Sequence, residues 1–310
     1  MKKSMHMPES KNFLVPIDFR PESEIALEYA AFIAARIGAT LHLIHILEEE
    51  SPLLKLVLRD HQRDMILRGA ADKLDDTAGK VLTGKNIPFT TKIKQGKVYE
   101  MIIKTAREVK ADLIFMGRTD SSDMVKNIAG TNTMHIIKEA DVPVITLRNK
   151  PEYFGCSHII LPLDLTKQTL KKATNAVLVA RILNARITII SILREDSKSK
   201  EIKIISKLDE IRPNLENLDI ECDVKLIKNI TDAPHDILNS AVRELEGDLV
   251  MIMTQQELNI SEFFVGSVAQ DIINLSDFPV LSINPLVREE KGIPDPMEQI
   301  FINPIQMFDH

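Results

Sequence analysis

What most constrains this chain is that it spells one pattern twice. Phe13-Leu-Val-Pro-Ile-Asp18 returns as Ile159-Ile-Leu-Pro-Leu-Asp164. Asp112-Leu-Ile-Phe-Met-Gly117, followed by Gly130-Thr131, returns as Asp248-Leu-Val-Met-Ile-Met253, followed by Gly266-Ser267. Each copy then closes on an Asp, a Pro and a short apolar run: Asp141-Val-Pro-Val-Ile-Thr-Leu147 and Asp277-Phe-Pro-Val-Leu-Ser-Ile283. Solenoid repeats have periods of about 20–50 residues, so copies this long mean a duplicated domain. A chain of 310 residues holds two such domains, each large enough to bury its own core.

Within the first copy, Asn12–Ile17 reads as a buried strand, apolar and β-branched. Ser23–Ile37 places Ile25, Leu27, Tyr29, Ala30, Ile33, Ala34 and Ile37 on a helical face and stops at Gly38. Further strands are predicted at Thr40–Leu47, Phe89–Ile93, Leu113–Met116 and Val142–Leu147. Helices are predicted at Leu53–Leu82, Val98–Val109 and Met124–Glu139. The second copy repeats the order, with strands near Ile159–Leu163, Arg186–Leu193, Glu221–Ile227, Leu249–Met253 and Val280–Ile283. Strands alternating with helices imply parallel βαβ units with right-handed crossovers. The fold class expected is therefore α/β: two tandem open parallel sheets flanked by helices. The expected domains are 1–150 and 151–285, joined by a linker at Asn149–Ser157 with Pro151 and Gly155. A tail at 286–310 carries Ile300, Phe301, Ile302, Ile305, Met307 and Phe308, too much apolar surface to leave in water, and is expected to dock on a domain or a partner.

Charge and cysteine content exclude several classes. The net charge is -6 and the cations are scattered, whereas nucleic-acid binders carry a basic patch or stripe. The most apolar long stretch, Tyr29–Leu47, is broken by Arg36, His42 and His45, so a membrane span is not expected. Cys156 and Cys222 form neither a CxxC nor a Cys/His cluster, which argues against a structural zinc or disulfide framework and for a reducing cytoplasm.

Open parallel sheets bind ligands beyond the carboxyl ends of their strands, at the switch in strand order. Asp18 ends the first strand, Gly117 ends the fourth, and Gly130-Thr131 opens or adjoins the next helix. Glycines admit a close backbone approach, and amides at a helix start favour an anion. The first copy thus has the makings of a nucleotide pocket.

The motifs quoted above, together with Ala26-Leu27 and Ala39-x-Leu-x-Leu43, resemble those of the universal stress protein family. The resemblance covers about residues 11–148 and 157–285 and implies a five-stranded parallel, Rossmann-like sheet in each copy. It further implies ATP, with Mg²⁺, in the first copy. On that likeness Asp18 would reach the adenosine and Pro16, Ile46 and Met116 would line the base. Thr119 would neighbour the phosphates, with Gly117, Gly130, Thr131, Asn132 and Thr133 holding them. Gly96 also fits the family pattern. The ATP-binding pattern Gly-x2-Gly-x9-Gly-Ser/Thr is broken here, because Asp120 stands at its second glycine. A carboxylate repels polyphosphate unless a metal bridges them, and its Cβ crowds a loop the family keeps bare.

In the second copy Met253 and Gln256 take both earlier glycine positions and Asp232 aligns with Gly96, so no nucleotide is expected there. Plain alternatives stand beside these roles: Asp18 as a turn or capping carboxylate, Gly117 as a turn glycine. His42-Leu-Ile-His45 resembles the HxxH of nucleotidyltransferases of a related fold, but it lies within a strand, where residues three apart face opposite sides. Structural histidines are the better reading. The family's fifth strands commonly pair antiparallel, and a tandem chain can make that contact within itself as an intramolecular pseudo-dimer, with a further homodimer through the tail. The expectation is a cytoplasmic stress-response binding protein without dedicated catalysis, contacting an adenine nucleotide and an unidentified protein partner. The alternatives are an adenylyl- or phosphoryl-transferring enzyme of the same fold group and a ligand-free scaffold.

Overall fold

The computed structural model describes residues 11–48, 60–118, 131–151, 154–163, 176–177, 179–216, 219–254 and 267–284. The expectations for the tail, for the helical starts at 53–59 and 124–130, and for Thr119, Asp120, Gly130, Asp164, Gln256 and Gly266 lie outside them. The chain forms two compact units, Met1–Gly117 and Arg118–His310.

The first unit holds β1 (Asn12–Pro16), α1 (Pro21–Ile37), β2 (Thr40–Leu47), α2 (Asp60–Leu82), β3 (Phe89–Gln95), α3 (Val98–Glu108) and β4 (Leu113–Gly117). Its strands are parallel in the order β3-β2-β1-β4. Chain order therefore reverses beside β1, which places the topological switch at the carboxyl ends of β1 and β4. Pro21 opens α1 with its φ already set for a helix, and Gly38 closes it in the left-handed conformation at φ 72°. The alanines among the buried residues of α1 let the helix lie close on the sheet, while Leu27 and Ile33 fill the interface. Each of those two large side chains contributes roughly 1.5–3 kcal/mol on burial. Phe13, Tyr29 and Phe115 form an aromatic cluster beneath α1, with ring centroids 5.0 Å and 6.2 Å from that of Phe115.

The second unit holds α4 (Thr131–Glu139), β5 (Val144–Leu147), β6 (His158–Pro162), β7 (Arg186–Leu193), α5 (Lys198–Glu216), β8 (Cys222–Lys228), α6 (Pro234–Glu244), β9 (Leu249–Met253), α7 (Ser267–Leu275) and β10 (Val280–Ile283). Residues 179–183 are also helical. Its strands run in the order β5-β10-β9-β6-β7-β8, all parallel except β5 against β10. That antiparallel contact is the expected pairing of fifth strands, with Val280 opposite Thr146 and Ser282 opposite Val144. β5 begins at Val144, not at the expected Val142, since Pro143 has no amide to give a ladder. β3 runs two residues beyond its expected end, because β2 stays extended long enough for Leu47 to pair with Gln95.

Both copies anchor their first strand in the same way. Asp112 accepts the Asn12 amide at 2.8 Å, and Asp248 accepts the Ser157 and His158 amides at 2.9 and 3.0 Å. Above these anchors sits a histidine whose place is exchanged between copies. In the first, His42 of β2 donates from Nε2 to Asn12 Oδ1 at 3.1 Å and accepts at Nδ1 from the Thr90 hydroxyl at 2.9 Å. In the second, His158 of β6 donates from Nδ1 to the Glu246 carbonyl at 3.2 Å and accepts at Nε2 from the Thr188 hydroxyl at 2.7 Å. Asn12 and His158 begin their strands, as His42 and Thr188 stand third in theirs. Each network offers an acceptor to one ring N–H and a hydroxyl that can donate to the other nitrogen, a set that a neutral imidazole satisfies.

Burial holds both histidines below their usual value, and the Arg186 charge adds to the effect at His158. The unfolded chain takes up these protons near about pH 6.5 while the folded chain resists. The stability they contribute is therefore full above that pH and is lost as pH falls below it, toward the depressed folded value. A His158→Gln variant is expected to lose less melting temperature between pH 7.5 and 5.5 than the parent. Equal losses in the two proteins would refute this account.

Candidate functional site

The carboxyl edge of the first sheet is built by β1, β2 and β4. Ile17 extends β1 by one more bond, its amide meeting the Ile44 carbonyl at 2.8 Å. Asp18 follows, then Phe19 at φ 65°, a left-handed conformation that turns the chain sharply into α1. Asp18 accepts the Arg20 amide on Oδ1 at 3.0 Å, with the Arg20 guanidinium 3.8 Å from Oδ2. The turn-carboxylate reading is thus realised, yet the Asp18 side chain remains 55% exposed and retains acceptor capacity. The β1–β4 register, set by Phe13–Leu113 and Leu14–Ile114, carries Met116 alongside Pro16. Pro16 and Ile46 are half-buried and Met116 is buried. These residues give the edge an apolar floor beside an exposed carboxylate.

Gly117 has a structural reason to be glycine. A Cβ there would lie 2.2 Å from the carbonyl carbon and oxygen of Glu22 and 2.5 Å from the Ser23 nitrogen. The close approach it permits is that of the first turn of α1, a role the sequence analysis assigned to a ligand. Gly96 is at φ 140°, and a Cβ would come within 3.1 Å of Met101. In the second unit Asn132 is half-buried and Thr133 buried in the first turn of α4. The described residues thus bring together Pro16, Asp18, Ile46, Met116 and Gly117. The phosphate-side candidates Thr119 and Gly130, and the Thr131 side chain, lie outside them.

Sequence reasoning missed the residues that shape the turn after Asp18. His45 donates from Nδ1 to the Ile17 carbonyl at 2.7 Å and packs its ring 4.3 Å from that of Phe19. Lys73 Nζ lies 4.4 Å from the centroid of the same Phe19 ring and brings a positive charge to this turn. The left-handed Phe19 was the missing signal, since nothing in its residue type announces such a turn. His42 and His45 are both occupied in structural hydrogen bonds.

In the second copy the connection between β8 and α6 is longer than that between β3 and α3. Counting from the strand, Asn229 takes the place of Gly96, for their amides meet the equivalent carbonyls of Leu193 and Leu47. Counting from the helix, Asp232 does. The added residues make a closed turn in which Asn229 Oδ1 accepts the Thr231 and Asp232 amides, and Asn229 and Thr231 donate to the Asp232 carboxylate. Those donors hold the carboxyl of Asp232 below the usual range.

Among the described residues no group of His, Cys, Asp or Glu is arranged to hold a metal, and no helix is long and apolar enough to cross a membrane. Cys156 and Cys222 are buried free thiols. Burial pushes Cys222 up to about 12, which leaves it without thiolate character at neutral pH.

The order β3-β2-β1-β4 recurs as β8-β7-β6-β9, parallel in both copies and with the switch point beside the first strand, which defines a duplicated, Rossmann-like α/β protein. The chain belongs to the universal stress protein family, whose pattern matches residues 9–148 and 156–284. A universal stress protein from Archaeoglobus fulgidus DSM 4304 superposes with a TM-score of 0.68 at 17% identity, over 89% of this chain and 99% of that one. A universal stress protein from Pseudomonas aeruginosa UCBPP-PA14 does so with a TM-score of 0.62 at 15% identity, over 92% and 98%. By sequence, universal stress protein MJ0577 of Methanocaldococcus jannaschii is 22% identical over 158 residues, 45% of this chain and 96% of its own length.

Proposed function

We propose that this chain is a cytoplasmic stress-response binding protein that takes an adenine nucleotide at the first sheet edge and carries out no dedicated catalysis. The observation that carries this is the exposed Asp18 carboxylate at the topological switch, at the same strand ends as Pro16, Ile46 and Met116. A carboxylate there can accept from the hydroxyls of a ribose, and the apolar floor suits the face of a base. The described residues fit the adenosine half of such a ligand. Thr119, Gly130, Thr131, Asn132 and Thr133 are the candidates for the phosphate half, with Mg²⁺ offsetting the charge of Asp120. The repeats at 1–150 and 151–285 act as a binding domain and a structural partner without nucleotide.

Asp120 favours a second reading, an interaction scaffold whose first copy no longer binds nucleotide. Calorimetric titration with ATP and Mg²⁺ separates the two. One site per parent chain, weakened at least tenfold in Asp18→Ala, is the expected result. Binding in Asp120→Gly but not in the parent would establish the scaffold reading, and silence in both would remove nucleotide from the function altogether.

A further inference from the structure

The second copy carries a cavity of about 270 Å³ at its own switch point, between the carboxyl ends of β6, β7 and β9 and the helices α6 and α7. It occupies the place that the nucleotide edge holds in the first copy, but its chemistry is different. Leu163, Ile192, Leu238, Ile252 and Met253 form its walls, and Met253 fills the position of Gly117 with a buried side chain. Among its described lining residues, Arg194 is the one bearing a charged or hydrogen-bonding side chain. Arg194 directly follows β7, is exposed, and has no ion-pair partner among the described residues. Against the described walls the polar atoms of a base and sugar would lack partners, a cost that an alkyl chain does not incur. An apolar cavity of about 150 Å³ already stays dry and takes up a ligand the size of benzene. This one is larger and ends at a cation.

We propose that this cavity binds a medium-chain aliphatic carboxylate, its alkyl chain between Ile192, Leu238 and Met253 and its carboxylate on Arg194. The guanidinium matches a carboxylate with two parallel hydrogen bonds, and its exposure lets the anion keep part of its water. The volume suits a chain of about eight carbons, on the scale of the benzene cavity. The proposal is independent of nucleotide binding in the first copy.

The full chain titrated with hexanoate and octanoate tests it, with octan-1-ol as the neutral probe. One octanoate per chain is expected, with affinity rising about fourfold for each added methylene between the two acids. Arg194→Gln is expected to weaken octanoate about tenfold while leaving octan-1-ol within twofold of the parent. Ala269→Leu, which places extra carbons in the cavity wall, is expected to abolish binding of both probes at an unchanged melting temperature. Absence of saturable octanoate binding overturns the proposal, as does equal octanoate affinity in Arg194→Gln. Displacement of octanoate by ATP also overturns it, by returning the cavity to a nucleotide. Should Ala269→Leu fail to fold, the exposed Arg194→Gln decides alone.

Discussion

Gly117→Ala is expected to destabilise the first unit by about 3 kcal/mol or more, at the upper end of what overpacking costs. The added methyl group would stand 2.2 Å from the Glu22 carbonyl, and backbone cannot rotate aside as a flexible side chain can. Relief requires the first turn of α1 to lift from β4, which loosens Tyr29 and Leu27 where they pack on the sheet. Urea unfolding should show the lowered midpoint, and amide exchange should quicken first at residues 22–27. Gly79→Ala supplies the opposite sign. That glycine lies inside α2 with nothing within 4 Å of its would-be Cβ, so alanine there should stabilise by about 0.5–1 kcal/mol. A parent-like midpoint in Gly117→Ala would mean that β4 and α1 are not packed as described.

Asp248→Ala is the second large effect, at about 2–3 kcal/mol. One carboxylate there accepts the Ser157 amide and hydroxyl, both at 2.9 Å, and the His158 amide at 3.0 Å. Its removal leaves the part-buried His158 amide without its acceptor and frees the exposed Ser157 donors to water, untying the start of β6. Gly155 makes room for this arrangement, since a Cβ there would come 2.4 Å from Asp248 Oδ2. Asp112→Ala should cost less, because Asp112 holds one amide at 2.8 Å and the Lys11 ammonium at a long 3.5 Å. Chemical denaturation of both variants checks the order, and a larger loss in Asp112→Ala would contradict it.

The two copies of Asp-Leu were visible as a repeat, but their purpose was not. Each carboxylate meets a strand that begins about 90–100 residues earlier in the chain, and a linear pattern holds no trace of that partner. The strands were legible because their apolar runs are dense and bounded by Gly, Pro and Asp. The apolar face of α1 was legible from its helical spacing. Gly117 carried two readings for a physical cause: a glycine that admits a ligand and one that admits a helix look alike in sequence. The exchange of histidine between His42 and His158 was equally hidden, since it needs the register of neighbouring strands. The cavity of the second copy escaped notice because Ile192, Leu238 and Met253 read as ordinary core. Apolar residues around a void and apolar residues around each other share one alphabet.

The antiparallel contact between β5 and β10 carries a consequence for how the protein is made. Thr146 and the Val280 carbonyl, 134 residues apart, face each other across that contact. At a synthesis rate of about 5–20 residues per second, β5 leaves the ribosome roughly 7–27 seconds before its partner does. For that interval a strand of Val, Ile, Thr and Leu offers an open edge to any neighbouring nascent chain. Duplication within one polypeptide therefore fixes the correct mate for this edge, and it also sets a delay during which chaperone cover matters most.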